Sequence, residues 1–239
     1  MFFISLVRNS LNVIDYFQQK KIIKFFQKNS TKKIIFFDVG SHYGETIKLF
    51  SKEFVFEEFH CFEASPINFE DLKKNIENLK FKNKYYLNNI GLGYNVGEGF
   101  INQTYETSSS TINDFNFDSK YLKRKLKILN IKNDKKFYKK IPIKLTNLDN
   151  YINENKIKRI DILKIDTEGY EYNIIRGLSQ NYKIIKFIYF EHHYDDMIKK
   201  NYKFSNINQT LKNLGFKKVF KSKMYFRKSF EYIYENKFI

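Results

Sequence analysis

Four side chains able to accept a proton or hold a cation fall at the exits of two apolar runs. Asp166 and Glu168 follow Ile160-Asp-Ile-Leu-Lys-Ile165, and His192 and His193 follow Ile184-Ile-Lys-Phe-Ile-Tyr-Phe190 by way of Glu191. A neutral imidazole suits proton acceptance near pH 7. The same set could instead coordinate a divalent metal, and spacing alone does not choose. The metal-free arrangement is the expectation, because ligand-type residues on one rim are commoner than metal sites. Strand alternation separates the histidines, putting Glu191 and His193 on one face and His192 on the other. Glu168 has a plainer alternative, hydrogen bonding to loop amides.

Two further exits carry residues suited to a ligand. Lys33-Ile-Ile-Phe-Phe-Asp38-Val-Gly40 runs into Ser41-His42-Tyr43-Gly44 and then a helical pattern, as when a buried parallel strand feeds a binding loop. Gly40 permits a tight turn, Gly44 lets the next helix start close to the strand, and Asp38 can accept from loop amides or a cationic amine. His42 stands where a dinucleotide fingerprint needs its second glycine, so no pyrophosphate is expected there. The next strand, Phe56 to Phe62, ends in Glu63, about twenty residues past Gly44, where an acid commonly holds ribose hydroxyls. A nucleoside without a diphosphate fits both signals, and S-adenosylmethionine is the common cofactor of that kind. After a third strand, Asn88-Asn89-Ile90-Gly91 could receive an adenine edge with Ile90 against the ring, or be a simple turn.

These exits imply the elements that hold them. The pattern alternates strand and helix from residue 33 onward, giving an α/β, doubly wound, mostly parallel sheet whose ligand sits over the strand carboxyl ends. Residues 1–30 read as an N-terminal helix capping the sheet, with Leu6, Ile14, Phe17, Ile22 and Phe26 as its apolar face; residues 31–239 form the main domain. Residues 105–140 interrupt the alternation with Ser108-Ser-Ser110-Thr111, aromatics and a lysine-rich helix over 120–130. Such an insertion suits a lid, expected to be the most mobile part of the chain without ligand and to order on binding. Pro142 marks its strand as an edge or irregular one. Two aromatic strands, 216–220 and 224–234, finish the chain.

Composition narrows the partners. The 239 residues are 42% hydrophobic and carry a net charge of +17. Only Arg8, Arg124, Arg159, Arg176 and Arg227 are arginines, and arginine is the better tool for phosphate and base contacts. Lysine dominance therefore argues against nucleic acid, and fits anionic sugars or peripheral attraction to an anionic membrane surface. Cys61 is the single cysteine, so no internal disulfide forms, as suits the cytoplasm. The first apolar run is too short to span a bilayer and has no cleavage site after it.

The sequence resembles the FkbM family of S-adenosylmethionine-dependent methyltransferases. The likeness is carried by Phe37-Asp38-Val-Gly40 through Gly44, Cys61-Phe62-Glu63, the serines at 108–110, Leu145-Thr-Asn-Leu-Asp149 and, above all, Leu163-Lys-Ile-Asp166-Thr-Glu168-Gly169-Tyr-Glu171. It spans about residues 33–193 and departs at Ser41-His42 and Ala64, where the family usually has Ala-Asn and proline. It implies a Rossmann-like class I methyltransferase fold and O-methylation of a hydroxyl on a sugar of a surface polysaccharide, glycolipid or related glycan. Asp166, Glu168, His192 and His193 become the candidate bases for the hydroxyl proton. Asp38, Gly40, His42, Gly44, Glu63, Ser65, Asn89, Ile90, Ser110 and Asp166 become the cofactor candidates. Two alternatives stay open: a non-catalytic nucleoside-binding or scaffold protein of the same fold, and an RNA methyltransferase.

Overall fold

The computed structural model describes residues 19–30, 33–79, 84–131, 137–224 and 228–239. Residues 1–18 of the expected N-terminal helix, 132–136 of the insertion and 225–227 of the last expected strand lie outside the described residues. Residues 19–29 form helix α1. Strands β1 (Lys33–Val39), β2 (Val55–Phe62) and β3 (Tyr85–Asn88) are joined through helices α2 (Glu45–Phe50) and α3 (Pro66–Glu77). Strands β4 (Gly91–Leu92) and β5 (Gly97–Thr104), helix α4 (Lys120–Ile128) and strand β6 (Tyr138–Thr146) follow. Helix α5 (Leu148–Glu154), β7 (Ile160–Ile165), α6 (Glu171–Arg176), β8 (Ile185–His193), α7 (Phe204–Asn213), β9 (Phe216–Lys223) and β10 (Ser229–Asn236) complete the order.

Seven strands make one sheet in the order β3-β2-β1-β7-β8-β10-β9. The first five run parallel; β10 is antiparallel to both β8 and β9, so the closing hairpin inserts its second strand next to β8. The order reverses between β1 and β7, where a crevice opens outside the carboxyl ends. Every residue of β7 is buried, as is all of β1 after Lys33. That is why both read as continuous apolar runs.

Alternation along these strands sends side chains into two cores. Phe37, Leu163 and Phe190 pack under α5, α6 and α7 with Leu148, Ile174 and Leu211. Phe36, Ile162 and Phe187 pack under α1, α2 and α3 with Phe26, Phe50 and Leu72. Each such side chain contributes about 1.5–3 kcal/mol by leaving water. The same alternation places Asp38 and Lys164 on the α1–α3 side, one step past Phe36 and Ile162.

The insertion is more structured than its sequence suggests. It runs between β5 and β6 of a second sheet, ordered β4-β6-β5. β6 pairs with β4 only at Leu145 and Thr146, so at Pro142 its sole neighbour is β5, which accommodates the missing N–H. Helix α4 starts at Ser119, whose hydroxyl accepts from the Tyr121 and Leu122 amides. Its Leu122 and Leu126 join Phe115, Phe137, Met197 and Ile198 in a third core.

Candidate active site

The carboxyl ends of β1, β2, β7 and β8 surround a cavity of about 730 Å³, room for a drug-sized ligand and more. Helix α4 and residues 107–112 form its outer wall. Gly40 holds the β1 exit together: at φ 84°, an added Cβ would stand 1.9 Å from the Asp166 carbonyl oxygen. No side chain fits there, so the β1 and β7 exits close against each other. Gly44, also at positive φ, caps α2 and would press a Cβ against Leu72 of α3 at 3.1 Å. The closeness it allows is therefore between two helices, rather than between helix and strand.

At the β2 exit, Glu63 is buried and accepts two backbone N–H groups, from His42 at 2.8 Å and from Ser65 at 2.9 Å. Burial pushes its carboxyl up, against those amides and His42. Asn68 adds a side-chain hydrogen bond, and a carboxylate with about four acceptor sites still has capacity for a ligand hydroxyl. Asn89 donates to the Glu63 carbonyl at 2.8 Å, and Ser65 caps α3 by accepting from Asn68. Both fix the turn without lining the cavity; Ile90 does line it. His42 lines it too, with φ 47° and its ring bridging Glu45 (3.0 Å) and Thr107 (2.9 Å). Burial disfavours the His42 imidazolium, but Glu45 outweighs it and the net shift is upward.

Lys164 is the feature that sequence reading missed. Its ammonium lies 3.3 Å from Asp38 and 3.1 Å from Asp166. Burial works against its charge, yet the two carboxylates hold it well above the ordinary lysine range. Asp38 is wholly buried and off the cavity wall, its carboxyl raised by burial with Lys164 opposing. The cationic amine it meets is this lysine, and its role is to position Asp166, which does face the cavity. A charged residue between Leu163 and Ile165, in a run whose only other charge is Asp161, was the available signal.

The β7 exit turns on Glu168 at φ 50° and Gly169 at φ 92°, a left-handed pair that costs energy at the glutamate. Four contacts hold it. The Gly169 amide donates to Glu171 (2.8 Å), and Tyr202 donates to the other Glu171 oxygen (2.7 Å). Thr111 donates to the Glu168 carbonyl (2.8 Å) and Asn113 to the Gly169 carbonyl (2.6 Å). The insertion thus clamps the turn. Burial, with Asp166 and Glu191 adding and His193 opposing, raises the Glu168 carboxyl to about 7.

His193 closes the site. Its Nε2 is 3.4 Å from Glu191 and 3.7 Å from Glu168, and its Nδ1 is 3.5 Å from Asp195. Burial disfavours its charge, but Glu168, Asp195 and Glu191 together raise it to about 10. His193 therefore holds its proton at neutral pH, and the expectation of a neutral imidazole base fails here. His192 is corrected more simply. It occupies the opposite face of β8, with its ring among Tyr194, Tyr202 and Phe204. Burial, then Lys200 and His193, lower it to about 4, and it does not line the cavity.

The cavity thus brings together Gly40, His42, Glu63, Ile90, Ser110, Asp166, Glu168 and His193. It leaves Asp38, Gly44, Ser65, Asn89 and His192 in supporting positions. Ser110 faces the cavity while its hydroxyl donates to the Thr107 carbonyl and accepts from the Thr104 amide. Among the described residues no group of three or more His, Cys, Asp or Glu is arranged to hold a metal ion. Nor is any described helix long and apolar enough to cross a membrane.

Residues 38–218 match the family described as Methyltransferase FkbM domain. The chain belongs to that family. It is an S-adenosylmethionine-dependent methyltransferase, and the Rossmann-like fold agrees. A magnesium protoporphyrin IX methyltransferase from Synechocystis PCC 6803, solved with bound S-adenosylmethionine, superposes with a TM-score of 0.56 at 9% identity, covering 96% of this chain and 83% of that one. A methyltransferase FkbM from Methylobacillus flagellatus KT gives 0.51 at 14% identity, covering 85% of this chain and 44% of that one. The chain thus spans less than half of that protein, and at such identities the likeness is one of fold. No curated protein matches the sequence.

Proposed function

We propose that this methyltransferase alkylates a hydroxyl of a saccharide in a surface polysaccharide, glycolipid or related glycan, with Glu168 as the base. The cavity suits the cofactor: Glu63 lines it near Ile90 with acceptor capacity left over, and Asp166 would offer a carboxylate to the cofactor's cationic groups. When bound, S-adenosylmethionine supplies a methyl group that leaves sulfur for a hydroxyl oxygen, the bonding pair staying on sulfur. The protein's share is to align the oxygen and remove its proton. Glu168 takes that proton. Its carboxyl, raised to about 7, is poised between the ionised and protonated forms at neutral pH. The His193 imidazolium beside it restrains that rise, keeping a fraction ionised. Lys164 and Asp38 hold Asp166 on the cavity wall from behind.

The observation that carries this reading is the half-buried, strained Glu168 facing His193 on the cavity wall, away from Glu63 at the β2 exit. Mass spectrometry of surface glycans from cells with and without the protein tests it, with loss of one methyl unit as the expected result. The purified chain should also form S-adenosylhomocysteine from S-adenosylmethionine only when a saccharide acceptor is present. Unchanged glycans together with no transfer to any saccharide would overturn the reading.

A further inference from the structure

Besides His193, three cationic side chains lie on the cavity wall: Arg124, Lys125 and Lys164. Two are neutralised internally. Lys164 sits between Asp38 and Asp166. Lys125 pairs with Glu106 at 2.7 Å, and the Ser109 hydroxyl lies against the same ammonium. Arg124 differs, since among the described residues no carboxylate or hydrogen-bond acceptor meets its guanidinium. The helix that carries it compounds the imbalance. The residues of α4 read Lys120-Tyr-Leu-Lys-Arg124-Lys-Leu-Lys-Ile128, with no acid among them, so cations stand one turn apart and repel.

The position of α4 says which ligand would feel that charge. Tyr121, Arg124, Lys125 and Ile128 share the face that lines the cavity. Leu122 and Leu126 turn to Met197 and Ile198, the segment just past β8. The helix therefore rides over the β8 end, where His193 stands beside Glu168 of the neighbouring β7 exit. Glu63 and Ile90 belong to the β2 side, with β1 and β7 between. An anion drawn to Arg124 belongs to the group that receives the methyl rather than to the nucleoside. Ile128, 69% exposed, and Tyr121 add apolar surface beside it, against which a sugar ring can lie. A guanidinium suits phosphate or carboxylate because it offers two parallel N–H donors.

We infer that the acceptor carries its own anionic group, a phosphate or carboxylate on the saccharide, and that Arg124 holds it. This rests on the saccharide reading above. The test titrates the chain loaded with S-adenosylhomocysteine by calorimetry. The probes are inorganic pyrophosphate, glucose, glucose 1-phosphate, glucuronate, galactose, galacturonate and UDP-glucose, with methyl transfer measured on the same panel. Anionic members are expected to bind about tenfold or more tightly than their neutral partners, the phosphate and carboxylate arms telling which anion is read. R124Q should erase that preference and R124K keep part of it, with S-adenosylhomocysteine affinity unchanged in both. Equal binding of neutral and anionic sugars, no binding of any anion, or a preference that survives R124Q would overturn the inference. So would a loss of S-adenosylhomocysteine affinity in R124Q, which would assign the residue to the cofactor. Anion binding without transfer to any saccharide would keep the Arg124 site and sink the proposed reaction. Transfer to neutral sugars that R124Q leaves untouched would do the reverse.

Discussion

The two ends of the cavity use a carboxylate in opposite ways. At the β2 end, Glu63 is fixed by two backbone amides, at 2.8 Å from His42 and 2.9 Å from Ser65. It organises the loop whether or not a ligand is bound. At the β7 end, Glu168 faces a charged side chain, His193, at 3.7 Å, on a backbone held at φ 50°. Its carboxyl sits near 7, so its charge can change during turnover. On the function proposed above, one acid is architecture that also binds the cofactor and the other exchanges the proton. Substitutions at the two ends should therefore fail in different ways.

The largest effect belongs to Glu168→Gln. The side chain keeps its volume and loses its basicity, so methyl transfer should fall about 100-fold to 10,000-fold. S-adenosylhomocysteine affinity and melting temperature should stay close to the parent. A parallel collapse of affinity in calorimetry would instead make Glu168 part of the cofactor site.

Glu63→Ala should produce the converse, with affinity and stability falling together. It removes acceptors from two buried amides, each loss costing about 1–3 kcal/mol. It would also remove the proposed ribose contacts, each worth roughly 1.5–3 kcal/mol. S-adenosylhomocysteine should bind on the order of tenfold to a hundredfold more weakly, and thermal unfolding should come earlier. Unchanged affinity in a folded variant would place the ribose elsewhere.

A smaller effect tests the coupling of Glu168 to His193. With Glu168 as the proposed base, the reaction needs it ionised, so kcat/KM should rise with pH through about 7. The His193 cation lowers that carboxyl, so His193→Gln should move the limb upward, on the order of one pH unit. Stability gives a second readout. The folded-state value of His193, about 10, lies above its ordinary 6.5. Its contribution is therefore complete below pH 6.5 and lost as pH rises through 10. Alkaline melting curves should show that loss in the parent and much less of it in the variant.

Much of this was legible in the sequence, for a physical reason. Buried parallel strands must be mostly apolar, so Ile34–Val39 and Ile160–Ile165 announce themselves despite Asp38, Asp161 and Lys164. Their acidic exits then fall where a doubly wound sheet binds ligands. The histidine alternation was equally readable, since a period of two decides that His193 and not His192 shares a face with Glu191. What the sequence hid was non-local. The charge on His193 depends on Asp195, Glu168 and Glu191 converging in space. β4 is two residues long and has no periodicity to detect. The core under α4 borrows Met197 and Ile198 from beyond β8, so in sequence residues 105–140 read only as an interruption of the alternation.

That borrowed core narrows what the insertion does on binding. Leu122 and Leu126 are anchored by Phe115, Phe137 and Met197. The Asn116 amide donates to the Met197 carbonyl at 2.8 Å, and the Lys199 amide to the Asp114 carbonyl at 2.8 Å. Ordering of the whole insertion by cofactor is thus no longer expected, because α4 has its own packing without any ligand. The strip 106–110 has no apolar core, only polar ties such as His42 to Thr107 and Lys125 to Glu106. Exposed or half-exposed ties of this kind are worth about 0–1 kcal/mol each, so local opening should be easy there. Hydrogen exchange is expected to slow only several-fold on adding S-adenosylhomocysteine, and mainly over 106–110 and the 166–169 turn. Amides of Leu122 to Leu126 should be protected in both states. Equal slowing along all of α4 would mean that its packing against Met197 is not independent of the ligand, and the insertion would then act as one closing lid.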